Sequence, residues 1–325
     1  MPLFLHYVKV FIAAFFFTLF YACTQTIEIK DLPSPKDEVV VEGTIVNGEP
    51  PFILLTKNSP YFGGISLNDL SKYFVNNANI KIWRNNDTIQ LTEYCINTFP
   101  EEVRIQLAVF LGFDNIDTSN IPNICFYSVP NVFAYYLSGD TTGVFVGRVN
   151  ETYYLSIETE GKTLTSQTTI PGLVPLQPLT WKPHPDASKD SLVSVYINFK
   201  EPDTIGNYYR YSTKRNSEPF YYPLSSSVYD DKLVNGQFIS LPLERGISPN
   251  SKIDNDTYGY FWKGDTVTLK WMNIDKASYD FWRTLENDGG DSPFSSPVII
   301  KTNIKGGLGV WCGYATDYAT TIIPN

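Results

Sequence analysis

Short runs of alternating apolar and polar residues, separated by turn residues, recur along most of this 325-residue chain. Val39–Val46 is rich in β-branched residues, Asn47–Gly48 is a strong turn signal, and Phe52–Thr56 returns, which predicts a β-hairpin. Leu192–Lys200 alternates in the same way. The chain also holds 22 Tyr, 22 Pro and 21 Gly, and aromatic side chains suit strands whereas Pro and Gly favour turns. The sequence therefore predicts a mainly β fold.

Helical segments are few. Pro100–Leu111 starts with Pro and has two acids in its first turn, both of which favour a helix start. Asp275 is a suitable N-cap for a helix over Lys276–Asn287, and Ser66–Val75 is a shorter candidate. Further strands are expected at Ala78–Trp83, Asp87–Thr92, Ile124–Val129, Gly143–Val149, Thr152–Thr159, Thr163–Ile170, Asn207–Thr213 and Gly264–Met272.

The N-terminus has the pattern of a bacterial lipoprotein signal. Residues 1–22 contain one cation, Lys9, followed by an apolar run and by Ala22 directly before Cys23. The apolar run is short for a membrane span. We expect a signal peptide over residues 1–22 and lipidation of the Cys23 thiol, which would anchor the chain to a membrane. A secretory signal cut nearby, or a marginal anchor helix, is the alternative.

The remaining length, roughly 300 residues, exceeds what one hydrophobic core usually serves, which predicts two domains. Residues 23–37 are polar and have the composition of a tether. Residues 38–171 are expected to form an immunoglobulin-like or prealbumin-like sandwich. The Pro-rich residues 172–190 are expected to form a junction, and residues 191–325 a second β-rich domain with a short helix.

The charge balance argues against nucleic acid as a partner. The chain has 25 basic and 34 acidic residues and a net charge of −9, with no basic cluster. Phosphate backbones would repel such a surface.

Two cysteines of the first predicted domain, Cys95 and Cys125, have two interpretations. An exported protein meets an oxidising environment, so they can form a disulfide. Alternatively, both are small buried hydrophobic residues.

No catalytic residue or metal ligand is predicted. His184, the only histidine after the leader, lies between two prolines, and Cys312 fits a buried strand. Asn303–Gly309 lacks the GK[ST] ending of a phosphate-binding loop, and its glycines suit a turn. Glycoside hydrolysis would need two acids at a suitable separation, and calcium about six oxygen ligands. The candidates are acids near aromatic segments: Asp254, Asp256, Asp288 and Asp291.

Two aromatic clusters in predicted loops are the strongest candidates for binding. Tyrosine and tryptophan combine a large rigid contact area with a polar tip, and loops often carry binding residues. Such clusters would contact a protein partner or a glycan; the alternative is that they fill the core. The residues are Phe220, Tyr221, Tyr222, Tyr258, Tyr260, Phe261 and Trp262.

Several segments together resemble the Bacteroidota lipoprotein family catalogued as domain of unknown function 4249. They are Val39–Val46, Ile124–Tyr127, Glu151–Leu155, Thr169–Pro171, Tyr229–Gly236, Gly264–Met272, Tyr279–Trp282, Pro293–Phe294 and Asn303–Gly309. The resemblance implies an outer-membrane lipoprotein with two β-rich domains, commonly encoded beside a TonB-dependent transporter. It supplies no catalytic residue, and we expect no cofactor.

These observations support two functional hypotheses. The first is a membrane-anchored binding or accessory protein of a TonB-dependent transporter, facing either side of the outer membrane. The second is a surface glycan hydrolase that uses two carboxylates.

Overall fold

Strands dominate the structure. A computed structural model describes residues 38–58, 71–110, 121–139, 142–249, 251–287 and 299–325, with the backbone alone at 109, 110, 137 and 138. Strand content is 46% and helix content 13%, which confirms the mainly β class. The strands are β1 (Val39–Val46), β2 (Phe52–Lys57), β3 (Asn79–Arg84), β4 (Asp87–Gln90), β5 (Thr92–Cys95), β6 (Cys125–Ser128), β7 (Glu151–Thr159), β8 (Lys162–Ile170), β9 (Leu176–Pro183), β10 (Leu192–Lys200), β11 (Tyr208–Arg215), β12 (Val228–Asp230), β13 (Phe238–Leu243), β14 (Phe261–Trp262), β15 (Thr266–Ile274) and β16 (Leu308–Ile322).

The α-helices of the described residues are α1 (Glu101–Phe110), α2 (Val132–Ser138) and α3 (Lys276–Glu286). Helix α3 begins as its sequence predicts, because the Asp275 carboxylate accepts a hydrogen bond from the Ser278 backbone N–H at 2.8 Å. None of the described helices has the length and apolar character that a bilayer span requires.

The first layer of the fold is one eight-stranded sheet in the order β12-β11-β15-β16-β1-β2-β6-β5. Its centre is the parallel pairing of β1 with β16, which extends from Val40 opposite Leu308 to Val46 opposite Tyr314. The first and last strands of the described chain are therefore neighbours. The other pairings within this sheet are antiparallel.

Two smaller sheets form the second layer, both on one face of the large sheet. The sheet β4-β3-β7-β8 packs with β1, β2 and β16 around a core that includes Ile45, Ile82, Leu155 and Trp311. The sheet formed by β9, β10, β13 and β14 packs with β11 and β15 around a second core. Alternate residues of each strand supply these cores, as the period of two predicts.

Helix α3 covers the opposite face of the large sheet. Its residues Tyr279 and Phe281 pack with Met272, Val310 and Cys312. The C-terminal half of β15 is consequently buried on both faces, so its residues Trp271–Ile274 form a continuous buried run.

Most predicted hairpins are confirmed: β1 with β2, β3 with β4, and β7 with β8 are antiparallel neighbours. The strand expected at Gly143–Val149 is wrong, since these residues form only an isolated bridge between Gly147 and Asn47. Of Ser66–Val75, the described part contains a single 3-10 turn over Ser71–Tyr73.

The predicted division into two domains is not confirmed. The large sheet takes β1, β2, β5 and β6 from residues 38–171 and β11, β12, β15 and β16 from residues 191–325. Residues 172–190, expected to form a junction, contain β9, which pairs with β10. All described residues belong to one compact unit, Asp37–Asn325.

Candidate binding site

An apolar cleft opens between the two layers where both end in a free strand. Strand β12 is the edge of the large sheet, and β13 is an edge of the smaller sheet that packs on it. The cleft has a volume of about 330 Å³, and we call it the edge cleft. Its lining comprises Ile197, Phe199, Glu201, Tyr209, Tyr211, Tyr229, Asp230, Leu233, Val234, Ile239, Leu241, Pro242, Leu243 and Trp271.

Aromatic rings form the floor of the edge cleft. Tyr209 and Trp271 stack with ring centroids 5.0 Å apart, and Phe199 lies 5.4 Å from Trp271. Tyr211 stacks on Tyr229 at 5.8 Å. Tyr209, Tyr211, Tyr229 and Trp271 lie on the inner face of the large sheet, on β11, β12 and β15, and Phe199 on β10 faces them from the smaller sheet. Offset aromatic packing of this kind gives a rigid apolar surface.

The rim of the edge cleft exposes apolar side chains to solvent. Leu233 is 90% exposed and Leu241 is 42% exposed. Leu241 lies on the inner face of β13, opposite Ile197, but the short strand β12 does not extend far enough to cover it. Clustered exposed apolar residues mark interaction sites more often than isolated ones do.

A turn over residues 231–236 holds Leu233 and Val234 at the rim. The buried Asp231 carboxylate fixes this turn, accepting hydrogen bonds from the backbone N–H groups of Gly206 at 2.8 Å and Asn207 at 3.0 Å. Gly236 closes it with φ of +69°, a conformation that favours glycine.

Glu201 is the buried acid of the edge cleft and has no exposed surface. The Tyr209 hydroxyl donates to its carboxylate and lies 2.8 Å from each oxygen. Burial raises the pKa of Glu201, and the Tyr209 hydrogen bond only partly opposes this effect. Both carboxylate oxygens are engaged inside the protein, so Glu201 is not placed to act on a substrate.

The predicted aromatic residues do not form one surface. Phe261 is fully buried in the second core, and Tyr260 packs on His184 with ring centroids 4.5 Å apart. Trp262 lies 4.8 Å from the guanidinium groups of both Arg215 and Arg245. Core filling, the alternative interpretation, is correct for Phe261.

Tyr221 and Tyr258 lie at one cavity. They line a polar cavity of about 510 Å³ together with Arg245, which we call the Arg245 cavity. Tyr258 also donates a hydrogen bond to Glu244, which limits its freedom to contact a ligand. Phe220, from the same cluster, packs instead near Tyr318 at 6.0 Å.

Tyr222 packs against the guanidinium of a buried arginine, Arg210. Tyr222 and Trp282 sandwich this guanidinium, with the Arg210 Cζ atom 3.8 Å and 3.4 Å from the two ring centroids. Arg210 Nε also donates to Ser227 Oγ at 3.0 Å, and Nη1 to Tyr314 Oη at 3.2 Å. This cation–π stack ties β11 to α3.

The other described side chains considered for catalysis or metal binding are buried or make contacts within the protein. Burial raises the pKa of the Cys312 thiol to about 12, which keeps it protonated at neutral pH. His184 Nδ1 accepts from the Asp186 backbone N–H at 3.0 Å. Asp254 holds a turn through Thr257, and Asp256 pairs with Lys189 at 2.9 Å. Asp288, Asp291 and Cys23 lie outside the described residues.

A disulfide joins Cys95 on β5 to Cys125 on β6. The two residues are directly opposite each other in the antiparallel ladder. Glu93 lies close to both sulfurs, but the bond between the sulfurs leaves no thiolate to bind a metal.

The family described as Domain of unknown function (DUF4249) matches residues 24–319. The chain belongs to the DUF4249 family. No curated protein matches the chain.

Two segments that carry the resemblance to the DUF4249 family meet at the edge cleft. Tyr229–Gly236 supplies the rim residues Leu233 and Val234, and the strand within Gly264–Met272 supplies Trp271. Sequence reasoning did not select these residues, because Tyr209, Trp271 and their neighbours read as ordinary strand residues. The available signal was the concentration of tyrosines in β11, which has them at 208, 209 and 211.

Proposed function

We propose that this member of the DUF4249 family is a lipid-anchored binding protein that serves as an accessory component of a TonB-dependent outer-membrane transport system. The observation that carries the proposal is the edge cleft, with its aromatic floor and exposed apolar rim. The family resemblance supports the membrane context, and the pattern around Cys23 supports the anchor.

Contact with a protein partner explains the exposed apolar residues of the rim better than permanent exposure to solvent does. Fully burying a leucine side chain stabilises a complex by roughly 1.5–3 kcal/mol, and Leu233 offers nearly its whole surface. Strand β13 pairs on one side with β10 and has no strand partner on its other side among the described residues, so its backbone groups there can pair with an added strand. The cleft therefore combines apolar anchors with an edge that can extend the sheet.

The arrangement gives the hydrolase hypothesis little support. Glycosidases need two accessible carboxylates at a suitable separation, but Glu201 has no exposed surface and both of its oxygens bond to Tyr209. The family match indicates no catalytic activity either.

The test is a native pull-down. Tagged protein purified from its own outer membranes should bring with it a TonB-dependent β-barrel. Leu233→Glu should remove most of the barrel from the pull-down, because it places a charge on the apolar rim. Ile322→Glu is the matched control, since Ile322 is also an exposed apolar residue but lies outside the cleft. Recovery of the wild-type protein without any barrel would refute the proposal.

A further inference from the structure

A second apolar cavity lies on the opposite face of the large sheet from the two cores. Its volume is about 560 Å³, within the range of roughly 300–1,000 Å³ typical of small-molecule sites. Phe52 and Phe126 form its floor, with ring centroids 5.1 Å apart. Leu107 on α1 and Phe133 on α2 form its walls. We call it the Lys270 cavity.

One of the residues that line the cavity has a positively charged side chain. Lys270, on β15, lines the cavity and is half-buried, yet its ammonium makes no hydrogen bond and no ion pair of 4 Å or less with any described residue. A half-buried ammonium without a partner loses part of its hydration and gains nothing in return. Burial accordingly lowers the pKa of Lys270, because it disfavours the charged ammonium.

The surrounding charges are few. The buried Arg210 guanidinium is close enough to lower the pKa of Lys270 further, and Glu49, which lines the same cavity, opposes both effects. Glu49 also helps to raise the pKa of the neighbouring Tyr136 to about 12, after burial, which is the larger cause. Arg210 does not line the cavity and pairs with Glu286 at 4.0 Å, so the charged residues of the lining are Lys270 and Glu49.

We propose that the Lys270 cavity binds a small amphipathic anion, an organic molecule with an apolar body and one acidic head group such as a carboxylate. The apolar body would lie on Phe52 and Phe126, and the head group would accept hydrogen bonds from the Lys270 ammonium. The binding of such an anion would supply the partner that Lys270 lacks among the described residues and would stabilise its charged form.

The experiment uses decanoate and its uncharged counterpart 1-decanol as probes. Each is titrated calorimetrically into the purified full chain. Decanoate should bind more tightly than 1-decanol. Lys270→Met should weaken decanoate binding about tenfold or more, since it removes a charge-assisted hydrogen bond, and should leave 1-decanol binding nearly unchanged. Lys270→Arg keeps the charge and should retain decanoate binding.

Three further variants define the site. Leu107→Trp fills the cavity and should abolish binding of both probes. Glu49→Gln removes the like charge and should tighten decanoate binding a few-fold. Lys214→Met is the matched control, because Lys214 is a half-buried lysine on the neighbouring strand β11 that does not line the cavity. It should leave both affinities unchanged.

Equal binding of decanoate and 1-decanol, or wild-type decanoate affinity in Lys270→Met, would overturn the proposal. Weaker decanoate binding in Glu49→Gln would also overturn it, since the loss of a carboxylate that repels the head group cannot weaken binding of the anion. The proposal does not depend on the transporter partner. Leu233→Glu, which tests that partner, should leave decanoate affinity unchanged.

Discussion

Gly43 and Trp311 face each other across the parallel pairing of β1 with β16, and the Trp311 ring occupies the space beside Gly43. A Cβ atom at Gly43 would come within 2.7 Å of Trp311 Cε3. Trp311 is fully buried, and its indole N–H donates to the Tyr153 carbonyl oxygen on β7 at 3.4 Å. The first strand, the last strand and a strand of the second layer thus meet at one side chain.

We therefore expect Gly43→Ala to lower the free energy of unfolding by about 1–3 kcal/mol, because an added methyl group must displace the packed Trp311 ring. Urea denaturation measures the change. The control is Thr44→Ala, on the opposite face of β1, which should cost less than about 1 kcal/mol. Equal effects of the two substitutions would show that Gly43 is not a packing constraint.

The buried Glu201 predicts a pH dependence of stability. Burial raises the folded-state pKa of Glu201, so the native protein retains a proton that the unfolded chain releases near its ordinary pKa of about 4.3. As pH rises from that value through the folded-state pKa, the free energy of unfolding should fall. Glu201→Gln should lack this component of the fall.

Urea denaturation of both proteins between about pH 4.5 and 7 measures the difference. Glu158→Gln, a substitution of an exposed glutamate on β7, should follow the wild type. The prediction fails if the stability of Glu201→Gln and that of the wild type decline in parallel over this range.

The disulfide between Cys95 and Cys125 closes a segment with a sequence separation of 30. Replacing both cysteines with alanine should lower the free energy of unfolding by about 3 kcal/mol, because the unfolded chain regains the entropy that the cross-link removes. A reducing agent should destabilise the wild type similarly and have no effect on the double variant. Mass spectrometry that detects two free thiols in the unreduced wild type would contradict the prediction.

Lipidation of Cys23 is the basis of the proposed localisation. Cys23→Ala should release the protein from the membrane or leave residues 1–22 attached, while thermal unfolding of the folded unit stays unchanged. Several acyl chains hold a protein firmly to a bilayer, whereas one gives only marginal binding. Membrane fractionation and mass spectrometry provide the test. A wild-type Cys23 without a lipid-sized mass increment would refute this prediction.

The sequence predicted the elements that depend on near neighbours. The hairpin of β1 and β2 follows from the Asn47–Gly48 turn signal, and the start of α3 follows from the capping residue Asp275. In each case the deciding contact lies within a few residues, so a local pattern contains the information. The mainly β class and the DUF4249 family were also readable from the sequence.

The pairing of β1 with β16 could be decided only by the tertiary structure. It joins residues more than 260 positions apart, such as Val40 and Leu308, and either strand alone shows no preference for that neighbour. This pairing joins strands from both halves of the chain in one sheet, which explains why the division expected at 172–190 is not confirmed. The exposure of the predicted aromatic residues depended on tertiary packing in the same way.

Neither proposed site could be predicted from a local sequence pattern. Tyr209 and Trp271 in the edge cleft, and Phe126 and Lys270 in the second cavity, come from strands that are distant in sequence. Alternation alone determined which residues share a face of each strand, and therefore the β class. Which faces meet, and which side chains remain uncovered or unpaired, was decided by non-local strand pairing and layer packing, because burial is a property of the assembled sheets.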